Sequence, residues 1–344
     1  MAVARSDAAC SHDGDSLPTP ILAPPTVSPT EHRSLTAFGC EQQRLGDPIL
    51  EPIDFPRAFL VERIDVRLGR VLTHHPQVDT PPDDAPLWRY LDFVRFVALL
   101  EGRRARFTRS DQFEDRFESA VPRADIATAR AYYANMVKNG WIDVEGVSRF
   151  HVDDVRAWIA PLLGITAADA AAIAQDDLPA YMVRVTGRFV FLSCWHQNVD
   201  ESAAMWDLYS QVPEGVAIRT SVGAMRRAFI AHPNDEPIYL GRVRYLDYEH
   251  ESFGSFSPVV QAFAKRKSFA HEREVRAAVI NPTHVDARTT TGFDLPVDIG
   301  ELIESLHVSP RAAPWVRDLV ERLARREGVN APVVQSSLYA EPTF

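Results

Sequence analysis

Phe189-Val190-Phe191-Leu192-Ser193-Cys194-Trp195-His196-Gln197, followed at Met205-Trp206-Asp207-Leu208-Tyr209 by an aromatic turn of helix, is the stretch on which the reading of this chain turns. Four apolar residues in a row predict a buried strand. The strand then ends in side chains that hydrogen-bond, ligate or stack, and a rigid scaffold commonly presents its chemistry at such strand ends.

Outward from that strand, the pattern predicts short strands interleaved with helices. Leu87-Trp88-Arg89-Tyr90 reads as a strand, and Phe93, Phe96, Val97 and Leu100 recur at the three- and four-residue steps of an amphipathic helix that Gly102 stops. Further strands are expected at Ala105–Thr108, Gly215–Thr220, Ile238–Tyr245, Glu274–Ile280, Leu302–Val308 and Val333–Leu338. Helices are expected at Glu201–Tyr209, Val222–Ala231, Phe263–Phe269 and Pro314–Arg325. Several successive strands have short connections, which favours an α+β fold with a mixed or largely antiparallel sheet. An alanine-rich helical insert is expected over 123–180, with helices at Ala127–Lys138 and Val152–Leu163. Residues 1–54 are rich in Pro and Ser and predict a disordered arm; 55–85 read as a docking segment or linker, with Phe59–Val66 a short element within it; and 86–340 read as a single domain.

The chain has 344 residues, 46% of them hydrophobic and 24% charged, which is ordinary globular material. A net charge of -10 gives no strong nucleic-acid signal and points to small molecules or proteins as partners. The three cysteines are Cys10, Cys40 and Cys194, too few and too scattered for a disulfide framework or a paired-cysteine zinc site. With no apolar leader and no run of eighteen apolar residues, a cytoplasmic, membrane-free location is expected.

Several of these segments resemble landmarks of the bacterial domain-of-unknown-function family 2971. They are Leu87–Tyr90, Phe113-Glu114-Asp115-Arg116-Phe117-Glu118, Leu192–Trp195, Met205–Tyr209, His271-Glu272-Arg273-Glu274-Val275-Arg276 and Leu306-His307-Val308-Ser309-Pro310. Glu114 and Ser309 depart from that pattern, and the family name carries no activity. More distantly, an arginine on a first strand, a serine on a later one and a Glu-x-Glu pair are similar to ADP-ribosyltransferases. That resemblance implies NAD as substrate, an unknown macromolecular acceptor and a toxin or defence setting. It implies that Arg89 binds the phosphates, that Ser193 supports the nicotinamide ribose, and that Glu274 with Glu272 stabilises a ribosyl cation. Tyr90, Trp195 and Trp206 would stack on a ring, with Asp115 also in the cofactor set.

Other readings of the same residues stand beside this one. Glu272 and Glu274 alternate on one strand face, which also suits pairing with Arg273, Lys265 or Lys267. Arg89 equally suits a local carboxylate such as Asp92 or Asp115. Cys194 and His196 project to one face as a nucleophile and base would, and equally as core residues. Asp115, Glu118, His271, Glu272 and Glu274 are hard donors of the type a metal-dependent phosphodiesterase uses, although no metal motif is spelled out. A non-catalytic binding module is the remaining alternative.

Overall fold

A computed structural model describes residues 72–73, 75–115, 117–118, 120–138, 140–144, 148–210, 212–230, 237–254, 257–280 and 289–342. The arm 1–54, the element expected at Phe59–Val66 and Arg116 lie outside them. In chain order the strands are β1 (Leu72–Thr73), β2 (Pro86–Asp92), β3 (Arg104–Arg109), β4 (Val137–Lys138), β5 (Trp141–Val144), β6 (Ser148–His151), β7 (Val190–Gln197) and β8 (Gly215–Ser221). They continue with β9 (Ile238–Arg242), β10 (Arg244–Leu246), β11 (Ala264–Arg266), β12 (Glu274–Ile280), β13 (Gly292–Pro296), β14 (Ser305–Val308) and β15 (Val333–Gln335).

A ten-stranded sheet runs β1-β9-β12-β7-β2-β8-β14-β15, with β3 and β13 branching from β7. β1 pairs parallel with β9 and β14 parallel with β15; the other pairs in this sheet are antiparallel. Helices pack on this mixed, mostly antiparallel sheet, so the fold is α+β, as the sequence predicts. The described residues belong to one compact unit spanning Pro52–Phe344.

β7 and β12 are the trunk of the sheet, and they read as apolar runs because both their faces are buried. Their register pairs Glu274 with His196, Val275 with Trp195, Arg276 with Cys194 and Ala277 with Ser193. Trp195, Phe191, Val275, Ala277 and Val279 enter the main core with Phe107, Ile218, Phe229 and Val320. On the other face Val190, Leu192 and Ala278 meet Tyr239, Val259 and Phe263. Along its second edge β7 forks: Gln197 and His196 pair with Leu87 and Trp88 of β2, whereas Leu192 and Phe191 pair with Thr108 and Arg109 of β3.

Local signals set the helix ends. Asp92 caps Phe93–Gly102 by accepting from the Arg95 amide at 2.7 Å. Gly102 is the last helical residue rather than the stop, because Arg103 takes the left-handed turn at φ 47°. Helix Pro314–Arg326 has proline in its first turn and buries Val316, Val320 and Ala324, four residues apart. The insert holds helices Arg123–Met136 and Val152–Leu163, but also the antiparallel sheet β4-β5-β6, which alanine-rich composition hid. Val155, Ile159, Leu162, Leu178, Met182 and Phe189 give it a core of its own.

The helix expected at Phe263–Phe269 is in its first part β11, paired parallel with β10, and only from Lys267 does a 3-10 helix run, to Glu272. Lys265 is drawn inward to two carboxylates there, and ion pairing outweighs local helical pattern. The strand expected from Leu302 starts at Ser305, because Asp298 caps a short helix, Ile299–Leu302. Among the described residues no helix is long and apolar enough to cross a membrane.

Phe107 is fully buried and stacks on Phe293 at 5.8 Å between ring centres. Replacing it with alanine is expected to cost about 3–5 kcal/mol, read as a lowered midpoint in urea unfolding.

Candidate active site

The antiparallel register decides which candidate residues can meet. Consecutive residues of a strand project to opposite faces, so Ser193 and Trp195 share the main-core face with Ala277 and Val275, while Glu274 and His196 share the other. Arg89 falls between Leu87 and Leu91 of the main core, and its Nη1 donates to Ser193 Oγ at 2.8 Å. Trp195 Nε1 donates to the same hydroxyl at 3.3 Å, and the Arg89 guanidinium lies 5.4 Å from the Trp195 ring centre. The expectation that Arg89, Ser193 and Glu274 converge on one guest is therefore corrected: two of them meet, and the glutamate lies across the sheet. Arg89 and Ser193 bridge the fork between β2 and β7, where the two strands no longer pair.

The face that carries Glu274 gathers a dense polar cluster. Arg276 is fully buried and donates from Nε to Glu274 at 2.5 Å and from Nη1 and Nη2 to Glu118 at 2.7 and 2.9 Å. Its Nη1 also donates to the Ala262 carbonyl at 2.8 Å. Lys265 Nζ bridges Glu272 at 2.8 Å and Glu274 at 2.6 Å. The Glu274 amide donates to the Tyr245 hydroxyl at 2.8 Å. Arg273, between the two glutamates, holds a left-handed φ of 46° that costs a side-chain-bearing residue free energy.

Aromatic and imidazole rings wall this cluster. His196 lies 6.0 Å from the Tyr90 ring and 5.0 Å from the Tyr209 ring, and Tyr90 meets Trp206 edge-on at 5.0 Å. The Tyr90 hydroxyl accepts from the Ser202 amide at 2.8 Å, and Trp206 Nε1 donates to Glu201 at 3.0 Å. A cavity of about 370 Å³ opens at the strand ends, lined by Pro86, Gln197, Arg242, Tyr245, Arg273 and Glu274 among others.

The two carboxyls are pushed apart. Burial, together with the neighbouring Glu274, lifts Glu272 up to about 7. Burial opposes ionisation of Glu274 as well, but Arg276, the hydrogen bond with Glu272 and Lys265 more than offset it and hold that carboxyl below its usual range. Lys265 is likewise kept charged, the carboxylates outweighing its burial. Burial and then Glu274 push the Cys194 thiol up, which keeps it protonated and disfavours the nucleophile reading. Burial pushes Tyr90 up to about 12.

Asp115, expected in the cofactor set, accepts from Arg266 at 2.6 Å and from the Phe117 amide at 3.0 Å, so it anchors its turn. Among the described residues no group of three or more His, Cys, Asp or Glu side chains is arranged to hold a metal ion. Asp115, Glu118, Glu272 and Glu274 are instead bound to Arg266, Arg276 and Lys265. No observation favours the phosphodiesterase alternative. The sequence names Tyr209 and Arg276 only within the quoted landmarks and does not single out Tyr245. They come together through the pairing of β7 with β12, the helix after β7, which carries Tyr209, and β10, which carries Tyr245.

No family model matches the chain, so its resemblance to family 2971 rests on the quoted landmarks alone. No curated protein matches it either. Among solved structures it is similar to Thermus sp. 2.9 DarT in complex with ADP-ribosylated ssDNA, at 10% identity and a TM-score of 0.30, over 75% of this chain and 96% of that one. So distant a likeness carries no argument, and the function is read from the chain's own residues.

Arg276→Met leaves Glu118 buried without its cation and Glu274 with Lys265 alone, and is expected to cost about 3–5 kcal/mol in urea unfolding. A second outcome concerns pH. Folded Glu272 keeps its proton between 4.5 and about 7 while the unfolded chain releases it, so this group's contribution to stability falls as pH rises through that interval. Glu274 acts in the opposite sense, and its contribution is lost on acidification through and below the usual carboxylate range. Between about pH 5 and about pH 8 the melting temperature of the native chain is expected to fall more than that of Glu272→Gln.

Proposed function

We propose that the chain is an ADP-ribosyltransferase-like transferase that takes NAD as substrate and passes the ADP-ribosyl group to a macromolecular acceptor through Glu272 and Glu274. The observation that carries this reading is the split carboxyl pair. Glu274 is held anionic by Arg276 and Lys265, Glu272 is poised near neutrality, and both lie close to Tyr209.

Breaking the bond between nicotinamide and ribose builds positive charge at the anomeric carbon. A fixed anion aimed there stabilises the transition state more than the ground state. Two carboxyls with separated proton affinities can hold one charge and one proton at the same pH, as acid–base work at a sugar requires. Tyr209, 38% exposed, supplies a face for a nicotinamide or adenine ring, whereas Tyr90 and Trp206 are buried with Trp88, Met205 and Ala217. Arg242 and Arg273, beside the same cavity as Glu274, supply positive charge for a pyrophosphate, and the cavity volume lies in the range of small-molecule sites. Arg89 and Ser193 support the site through the fork of the sheet rather than by touching the sugar. Trp195, stacked beneath that arginine, has the same indirect part.

The test is incubation of the purified full chain with NAD labelled in its ADP-ribose and a cell extract. Label transfer and nicotinamide release are expected, with a loss of about 100-fold or more in Glu274→Gln. A chain that neither transfers label nor releases nicotinamide would sink the proposal.

A further inference from the structure

Resting on the ribosyl-transfer reading, we infer that His196 is the general base that takes the acceptor's proton during transfer. His196 Nδ1 lies 2.9 Å from the backbone carbonyl oxygen of Glu272. A carbonyl can only accept, so Nδ1 carries the hydrogen and the ring's lone pair sits on Nε2. The residue is 6% exposed, and among the described residues Nε2 has no hydrogen-bond partner. The ring stands between Tyr90 and Tyr209 and pairs across the strands with Glu274. A nucleophile approaching a ribose held against Glu274 therefore meets an imidazole whose tautomer is already fixed.

The groups facing this ring are Glu272 and Glu274 with Lys265 on one side, Tyr90 from β2, and Tyr209 from helix Ala203–Tyr209, while Arg89 acts on it from across the sheet. Burial, with help from Lys265 and Arg89, pulls the imidazole below 6.5 despite the Glu272 carbonyl and Glu274. The ring is neutral, and able to accept, at physiological pH. In the step itself the acceptor oxygen bonds to the anomeric carbon while the bond to nicotinamide breaks. That electron pair stays on the ring nitrogen, which leaves neutral. The acceptor's proton moves to Nε2, and the resulting imidazolium returns it to solvent. Glu274 stabilises the ribosyl cation and takes no proton.

The experiment uses the full chain, labelled NAD, and methanol as a simple acceptor in place of the natural one. His196→Asn keeps a donor near the Glu272 carbonyl and removes the base. Transfer to methanol is expected to fall about 100- to 1,000-fold in kcat with little change in KM for NAD. The native chain should show an acid limb with its midpoint below 6.5 that the variant lacks. A variant as fast as the native chain with the same limb, while Glu274→Gln is inactive, overturns the role of His196 and leaves ribosyl transfer standing. If the variant fails to fold, the native profile decides, because a flat acid side rejects the base. A native chain that releases no nicotinamide at all rejects both proposals together.

Discussion

Arg276 sits out of reach of water between two carboxylates, and the arrangement of the polar face follows from that placement. An isolated guanidinium could not be buried there, since the cost of removing it from water is recovered only with close partners and saturated hydrogen bonds. Glu118 meets it with both oxygens, Glu274 takes Nε, and the Ala262 carbonyl takes a further hydrogen. The turn bearing Glu118, the end of helix Pro258–Ala262 and the start of β12 are thereby fixed to one point.

From that point the remaining groups are set in sequence. With Glu274 held as an anion, Lys265 is drawn to it, and Lys265 brings Glu272 alongside. The left-handed turn at Arg273 lies between the two glutamates, and the Glu272 carbonyl reaches the imidazole of His196. A site of this kind does not need large motions to place its charges. Neighbouring fixed dipoles and ions hold those charges in place, and under the proposed ribosyl transfer such fixed charges would make electrostatic stabilisation effective in a water-poor environment.

Much of the scaffold was legible because its signals are local. Short apolar runs marked β2, β7, β8 and β12, and the three- and four-residue rhythm marked the helices after Asp92 and from Pro314. The site was half legible. Spacing put Glu272 and Glu274 on one face, whereas Tyr90 and Trp206 were singled out only through the resemblance to ADP-ribosyltransferases. What the sequence could not supply was parity across strands: Ser193 and Glu274 sit one residue out of phase, and only the alignment of β12 against β7 shows that they face opposite ways. The same limit hid the partner of His196, which is a main-chain carbonyl 76 residues away and has no signature in residue type. At Phe263–Phe269 the helical expectation failed because Lys265 is held by two buried carboxylates from farther along the chain.

The forked trunk gives this architecture a built-in means of adjustment. Past its pairing with Leu87 and Trp88, β7 is joined to β2 by an arginine, a hydroxyl and an indole rather than by a ladder. A ladder fixes the spacing of strands at one value, whereas a wedge filled with side chains takes its width from whatever residues occupy it. Descendants of this chain can thus open or narrow the angle between the two branches by exchanging a few interior residues, leaving every registered strand pair intact.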